Sequence, residues 1–461
     1  MPPALRKRSQ KIWSKFGSKA KSISFPSLQS FLTCMGRFPF SKGKKEKEDM
    51  WEYHMCSPAS LPFHITSCLV LIWLGVMLTG YTKLWINASP RQTDTLSLNC
   101  SFEGIPTNAT NLPFTQNRVI FDQVNRTITF VVFFLMFILN HAAQSINVVC
   151  RGNLMAQFLT EWEATVKDLG FKKTRGILLR LALEVVYTCA MFGFVVYLEF
   201  EDERQGNFDK TKKSATPTHF VRDTVKSVII ITLHPFSSDF ESVIENNFAN
   251  AMSTLFMFYV YISFKSTIIF YTYVCTTLSQ MFKLWNERAK WCLQRCRRIE
   301  NQEKDEKLQD LASHHFRLVQ LVQNMDTGFG LIITTYFISL VGIVIFTIHF
   351  FVGYLVSSPT MSFWLFIVIL APSSVSLLNV ALAASNVQRE AMQGFESLRG
   401  AALETLDLEE KEVLESLLIS FQGPQPILTG LGLFQITRPF ILSVGGIIVT
   451  YFILLYQTRQ P

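Results

Sequence analysis

Charged residues are scarce in this chain. Only 17% of its 461 residues are Asp, Glu, Lys or Arg, whereas soluble globular proteins have about 25%. Hydrophobic residues make up 49%, and 41 residues are phenylalanine. A chain with so few charges and so much apolar surface does not fit an ordinary soluble protein. The composition therefore predicts a membrane protein.

Sequence motifs of enzymes are also missing. The chain has no phosphate-binding glycine loop, no Gly-x-Ser-x-Gly and no His-Glu-x-x-His, and its eight histidines are scattered. Cys292 and Cys296, with His314 and His315 downstream, have a spacing that could hold zinc, but they lie in a basic, helical sequence. We therefore expect no enzyme activity, no cofactor, no metal and no nucleic-acid partner.

Long apolar runs are abundant instead, and they predict an all-α membrane protein, because backbone groups in lipid must be satisfied within their own segment. Seven runs qualify as membrane spans. They are Leu61–Trp85, Ile128–Cys150, Ile177–Phe200, Phe248–Leu278, Phe329–Val356, Ser362–Ala384 and Pro439–Gln457. The first span is expected to direct membrane insertion, because residues 1–50 contain no apolar core typical of a cleavable signal peptide.

Two signals predict the orientation of the spans. Four glycosylation sequons, at Asn87, Asn99, Asn108 and Asn125, all fall between the first two spans, which places that loop outside the cell. The segment from Arg6 to Lys47 is strongly basic, which places the N-terminus in the cytosol. Seven spans then leave the C-terminus extracellular, the reverse of a G-protein-coupled receptor. Only Cys100 is clearly outside, so no intrachain extracellular disulfide is expected.

The fourth span is too long for a bilayer, because its apolar sequence continues beyond Lys265 without a Gly or Pro, and it is expected to project into the cytosol. Lys265 is then expected near the inner headgroups. Two apolar stripes with helical spacing follow and are candidates to cover the projecting helix. They are Leu308, Leu311, Leu318 and Val322, and then Val387, Phe395, Leu398, Leu406, Val413 and Leu417. Each stripe could cap a single chain or form an oligomer interface.

The last span carries the most specific motif in the chain. Thr450 and Tyr451 are followed by five apolar residues and then by Gln457, and the segment Gly432–Arg438 leads into this span. This C-terminal pattern resembles that of the invertebrate gustatory receptors, a family related to insect odorant receptors. The family usually has Phe after the Gln, where this chain has Thr458.

The resemblance implies a homotetramer, or a hetero-oligomer with related receptors, around a central pore. Gln457 would form a ring of neutral amides in that pore, with Thr450, Tyr451 and Tyr456 as candidate gating, packing or interface residues. A ligand pocket would open to the outside between spans three to six. Its candidate polar and aromatic residues are Tyr197, Asn250, Tyr259, His349, Tyr354 and Trp364.

The sequence thus divides into six segments. A basic cytosolic tail (1–60), favoured as a disordered segment attracted to anionic lipid, precedes four spans (61–278), anchor helices (279–328), two spans (329–384), further anchor helices (385–438) and a pore-lining span (439–461).

The function that we expect is a plasma-membrane taste receptor that acts as a non-selective cation channel gated by small polar tastants such as sugars. Two alternatives remain open. An ultraviolet- or peroxide-sensing receptor of the nematode branch would use Trp73 or Trp364 to absorb light. A secondary transporter is more distant, because the chain has no internal repeat.

Overall fold

The structure is a computed structural model that describes residues 39–45, 48–55, 57–58, 60–72, 75, 112–169, 186–187, 247–296, 301–357, 370–405 and 426–459. Six helices and two short β-hairpins account for most of these residues. The helices are α1 (Leu61–Ile72), α2 (Leu112–Asp168), α3 (Asn247–Cys296), α4 (Asn301–Ser357), α5 (Ala371–Thr405) and α6 (Arg438–Arg459). The strands are β1 (Ser41–Lys45), β2 (Glu48–Glu52), β3 (Thr429–Gly430) and β4 (Phe434–Gln435).

The long helices extend well beyond the thickness of a membrane. Helices α2 and α4 each have 57 residues, and α3 has 50. A helix rises 1.5 Å per residue, so about 20 residues cross a hydrocarbon layer of about 30 Å. The continuation of α3 past the predicted fourth span agrees with the expected projection of that span.

Four predicted spans, the second, fourth, fifth and seventh, lie entirely within α2, α3, α4 and α6. The first and sixth spans are described only in part, and the third lies outside the described residues except for Val186 and Tyr187. Among the described residues, the segments Asp310–His349 and Arg438–Thr458 are each long and apolar enough to cross a membrane.

Helix α4 lies at the centre of the described structure, in contact with α2, α3, α5 and α6. Its side chains at helical spacing are almost fully enclosed, with Leu318, Leu321, Val322 and Met325 at most 1% exposed. Leu311 is also buried in the same cluster, which includes Trp285 on α3. Leu311, Leu318 and Val322 of the predicted stripe therefore pack within this chain, whereas the side chain of Leu308 is not among those described.

Two strands, Ser41–Lys45 and Glu48–Glu52, lie within the segment 1–60 that we expected to be a disordered tail, so this part is ordered, whereas residues 1–38 lie outside the described residues. Strands β1 and β2 form an antiparallel hairpin that contacts α2. Trp51 is 4% exposed, its backbone N–H donates to Thr160 Oγ1 (2.9 Å) and its indole N–H donates to Glu163 Oε2 (3.0 Å). Lys42 Nζ donates to the other Glu163 oxygen at 2.7 Å. This hairpin is held in place by α2, which lies more than 100 residues later in the chain.

Candidate functional site

The first turn of α6 is capped by a threonine and contains a proline. The hydroxyl of Thr437 accepts from the backbone N–H of Phe440 at 3.4 Å, which satisfies one of the amides that the first turn leaves without an intrahelical partner. Pro439 follows in the first turn, where its missing N–H costs no helical hydrogen bond and its fixed φ angle suits a helix. The direction of α6 is therefore fixed at its first residues.

One face of α6 packs against the rest of the chain. Phe440, Val444 and Ile448 contact the main core, and Tyr451 and Leu455 continue the same face beside the α4 cluster formed by Val344, Ile348 and Val352. These α6 residues recur every three or four positions, as expected for one side of a helix. Helices α4 and α5 contact this side.

The opposite face of α6 is open and carries a line of polar residues. Ser443, Thr450 and Gln457 follow each other at intervals of seven residues, and all three are exposed. Seven residues are almost two helical turns, so these side chains stand nearly above one another. Gly446 lies on the same side, and a Cβ added there would meet nothing within 4 Å. We call Ser443, Gly446, Thr450 and Gln457 the polar stripe.

The four residues predicted for the pore or gate therefore do not share one surface. Thr450 and Gln457 belong to the polar stripe, whereas Tyr451 packs towards α4. Tyr456 is 42% exposed, and its ring stacks on Phe452 with 6.3 Å between the centroids. The structure places Thr450 and Gln457 on one face of α6, and Tyr451 packs on another.

The predicted ligand pocket falls largely outside the described side chains. His349 is half-buried on α4. Asn250, Tyr259 and Tyr354 lie on helical backbone whose side chains are not described, and Tyr197 and Trp364 are outside the described residues. The same holds for the sequons, of which only Asn125 lies on described backbone, in α2. The ligand-binding and glycosylation residues remain predictions.

A buried cation lies between two helices. Lys265 on α3 is 5% exposed, and its ammonium donates to the Ser376 hydroxyl on α5 at 2.6 Å. The expected depth of Lys265 near the inner headgroups stays a prediction, and within the chain its side chain is enclosed by protein. A hydrogen-bonded, protein-facing position reduces the cost of a charge in a predicted span.

Sequence reasoning missed the hairpin formed by β3 and β4, immediately before α6. Its tight turn contains Leu431 and Gly432, with φ angles of 54° and 75°. Asp326 on α4 accepts from both the backbone N–H and the hydroxyl of Thr429, at 2.6 and 2.7 Å. The sequence Gly430-Leu-Gly432 was a signal for the turn, but no local pattern pointed to Asp326.

Residues 100–460 match the 7tm chemosensory receptor family, which is most of the chain. The chain belongs to this family. A comparison of this receptor with curated proteins finds no match. Among solved structures, it resembles the insect olfactory receptor OR5 from Machilis hrabei, with a TM-score of 0.52 and 14% identity over 94% of the receptor and 98% of OR5. The structure of OR5 in complex with eugenol gives a TM-score of 0.48 and 13% identity over 94% and 97%.

Family membership confirms the predicted relationship to chemosensory receptors and makes this receptor a membrane protein. The likeness to OR5 shows that its helical fold is that of an insect olfactory receptor. At 14% identity this likeness concerns the fold alone.

Proposed function

We propose that this receptor is a non-selective cation channel of the plasma membrane, opened by small polar tastants such as sugars. It works as a tetramer, of identical chains or with related receptors, and the polar stripe of α6 lines its ion pathway. The observation that carries this proposal is that Ser443, Thr450 and Gln457 form one line on the open face of a mainly apolar helix.

The position of the polar stripe favours contact with water over contact with lipid. In hydrocarbon the Gln457 amide would lose the hydrogen bonds that it makes to water, which is costly. The Ser443 hydroxyl is less affected, because it donates to Pro439 O at 3.0 Å within the helix. Lined up along one side, the same groups can replace part of the hydration shell of a passing ion. The opposite, apolar side of α6 packs against its own chain.

One helix cannot enclose a pathway, so the proposal requires several copies of α6 around an axis. Gln457 lies in the last two turns of the helix, and in a symmetric oligomer it becomes a ring at one mouth. An amide offers a donor and an acceptor without a fixed charge that would hold the ion. This suits a pore with weak selectivity between cations. The number four comes from the family resemblance.

The test is whole-cell recording from cells that express the receptor alone, with sucrose, fructose and glucose applied in turn. We expect a sugar-evoked cation current. Gln457→Glu adds a ring of negative charge, so it is expected to strengthen voltage-dependent block by Ca²⁺. Gln457→Ala is expected to change the permeability ratios with surface expression retained. Gln320→Ala, at an exposed glutamine in α4, is the matched control and is expected to leave permeation unchanged.

The outcomes separate the parts of the proposal. If the receptor is at the surface and no sugar evokes a current, sugars are the wrong ligand class, and the absence of current with bitter compounds and ultraviolet light as well would reject the channel. If a current appears but both Gln457 variants keep wild-type permeability and block, the polar stripe does not line the pathway.

A further inference from the structure

The segment immediately before α6 is a short hairpin that packs against α4. We call residues 428–436, which comprise β3, β4 and their flanking residues, the α6 hairpin. Leu433 N–H donates to Gly430 O at 2.8 Å and Ile436 N–H donates to Leu428 O at 3.0 Å, which closes the turn. Leu428 and Ile436 are 2% and 1% exposed, so both ends of the hairpin are anchored in the core.

One side of the α6 hairpin is held by α4. The Asp326 carboxylate accepts two hydrogen bonds from the same residue, Thr429, through the backbone N–H and the hydroxyl. The Thr429 hydroxyl also accepts from the Gly432 N–H at 2.9 Å, so the carboxylate is linked to the turn itself. Hydrogen bonds to a charged acceptor are about twice as strong as neutral ones. This contact fixes the position of the hairpin along α4.

The other side of the α6 hairpin is held by the first turn of α6. The Phe434 ring stacks on the Phe440 ring with 4.9 Å between centroids and an angle of 9°. Both rings meet Phe337 of α4 edge to face, at 5.8 and 5.9 Å. The hairpin thus contacts α4 and α6 together. The Asp326–Thr429 pair and the stacked rings therefore link α4 to the start of α6 through the hairpin.

We propose that Asp326 and Thr429 are positioning residues for channel opening, which couple movement of α4 to the base of α6. This inference rests on the proposed function, because it assigns a role in opening the pathway that α6 lines. The pair lies away from the polar stripe and touches no permeating ion. Its loss is therefore expected to change how often the channel opens and to leave conductance and selectivity unchanged.

The first test removes both hydrogen bonds in one variant and only one of them in another. Asp326→Ala leaves both Thr429 donors without the carboxylate, and Thr429→Val removes the hydroxyl but keeps the backbone N–H and nearly the same shape. We expect the open probability evoked by a sucrose, fructose and glucose mixture to fall about tenfold in Asp326→Ala, the size expected for lost hydrogen bonds to a charged group, and by less in Thr429→Val. Thr429→Ser keeps both donors and is expected to behave as wild type.

The matched control is Asp310→Ala, which removes an exposed carboxylate from the same helix. It is expected to open normally. Surface expression, single-channel conductance and permeability ratios are measured for every variant, because a purely structural role would lower the number of channels at the surface without a change in the open probability of each.

The second test replaces the lost contact by a covalent one. A Cβ at Gly330 would lie 3.5 Å from the backbone nitrogen of Leu431 and 3.7 Å from its Cα, so these two positions are chosen for a cysteine pair. Gly330→Cys with Leu431→Cys, in the Asp326→Ala background, is oxidised with diamide and reduced with dithiothreitol. We expect oxidation to restore the open probability and reduction to remove it again. Each single cysteine variant serves as the control.

Three results would overturn the inference while the proposed function stands. The first is a conducting wild-type channel together with an Asp326→Ala variant that reaches the surface and has the same open probability. The second is an unchanged open probability in Thr429→Val. The third is a disulfide that forms but does not restore the open probability. If Asp326→Ala does not reach the cell surface, the open probability of Thr429→Val is used instead. The cysteine pair at Gly330 and Leu431 is then tested in the Thr429→Val background. A wild-type receptor at the surface that passes no current rejects the proposed function, and the coupling role with it.

Discussion

Helices α4 and α6 are both apolar enough to cross a membrane, but their surroundings differ completely. In the most apolar stretch of α4, 61% of the residues are buried, and in that of α6 none is. Helix α4 is surrounded by α2, α3, α5 and α6, whereas α6 contacts α4 and α5 on one side and the α6 hairpin at its first turn. Two helices of similar hydrophobicity thus differ in position: α4 is buried within the chain and α6 lies at its surface.

The difference shows where each helix obtains its stability. Helix α4 is stabilised by close packing within the chain, where each side chain has neighbours on all sides. Helix α6 leaves Leu442 and Ile447 77% and 63% exposed, which is a surface for lipid or for other copies of the chain. The open face of α6 is therefore covered from outside the chain, which suits a helix proposed to line a pathway between subunits.

The largest predicted effect comes from one substitution made in both helices. Leu318→Ala in α4 removes a side chain that is 0% exposed and leaves a cavity, so we expect a loss of about 2–5 kcal/mol in the free energy of unfolding. Leu442→Ala in α6 removes a side chain that is 77% exposed and is expected to change it by less than about 0.5 kcal/mol.

Thermal unfolding of the two variants in detergent measures this contrast. An equal loss in both would mean that Leu442 is buried in the assembled receptor, and that the detergent-solubilised protein keeps the contacts between subunits. The same samples run on a size-exclusion column would then show whether Leu442→Ala also lowers the oligomer fraction.

The next prediction sharpens the comparison within α6. Gly445 and Gly446 are neighbours, and a Cβ at either meets nothing within 4 Å, but only Gly446 lies on the polar stripe. Adjacent residues of a helix point about 100° apart. Gly446→Leu is therefore expected to narrow the proposed pathway and lower single-channel conductance severalfold, whereas Gly445→Leu is expected to leave conductance near wild type. A larger effect at Gly445 would place the pathway on a different side of α6.

Much of the fold could be predicted because membrane helices have a local signal. The spans Ile128–Cys150, Phe248–Leu278, Phe329–Val356 and Pro439–Gln457 all lie within helices, because an apolar run of this length can satisfy its backbone only as a helix. The β1–β2 hairpin had no such signal. Its strands, SKGKK and EDMWE, lack alternating apolar residues, and Glu163 of α2 supplies two of the contacts that hold it.

The candidate site was predictable to the extent that it depends on spacing along one helix. Thr450 and Gln457 are seven residues apart, so their shared face follows from the helical period. Adjacent residues of a helix point about 100° apart, so Tyr451 faces a different direction from Thr450. Tyr451 is therefore a packing residue once the position of α4 is known. The contact of Asp326 with Thr429 joins residues 103 positions apart. Such a pairing depends on tertiary packing and leaves no periodic trace in the sequence.

The smallest predicted effect compares threonines in the two helices. Thr334 on α4 is 4% exposed, and its hydroxyl donates to Gly330 O within the same helix at 2.8 Å, whereas Thr450 is exposed on the polar stripe. Thr334→Val is expected to lower the free energy of unfolding by about 1 kcal/mol, the size of one neutral hydrogen bond, without a change in permeation. Thr450→Val is expected to leave stability unchanged and to shift permeability ratios by no more than about twofold, equivalent to a weak hydrogen bond of ~0.5 kcal/mol. Reversal potentials in mixed cation solutions, set beside unfolding in detergent, test both expectations. If Thr334→Val altered the permeability ratios and Thr450→Val did not, ions would pass closer to α4 than to α6, and the assignment of the open face of α6 to the pathway would be wrong.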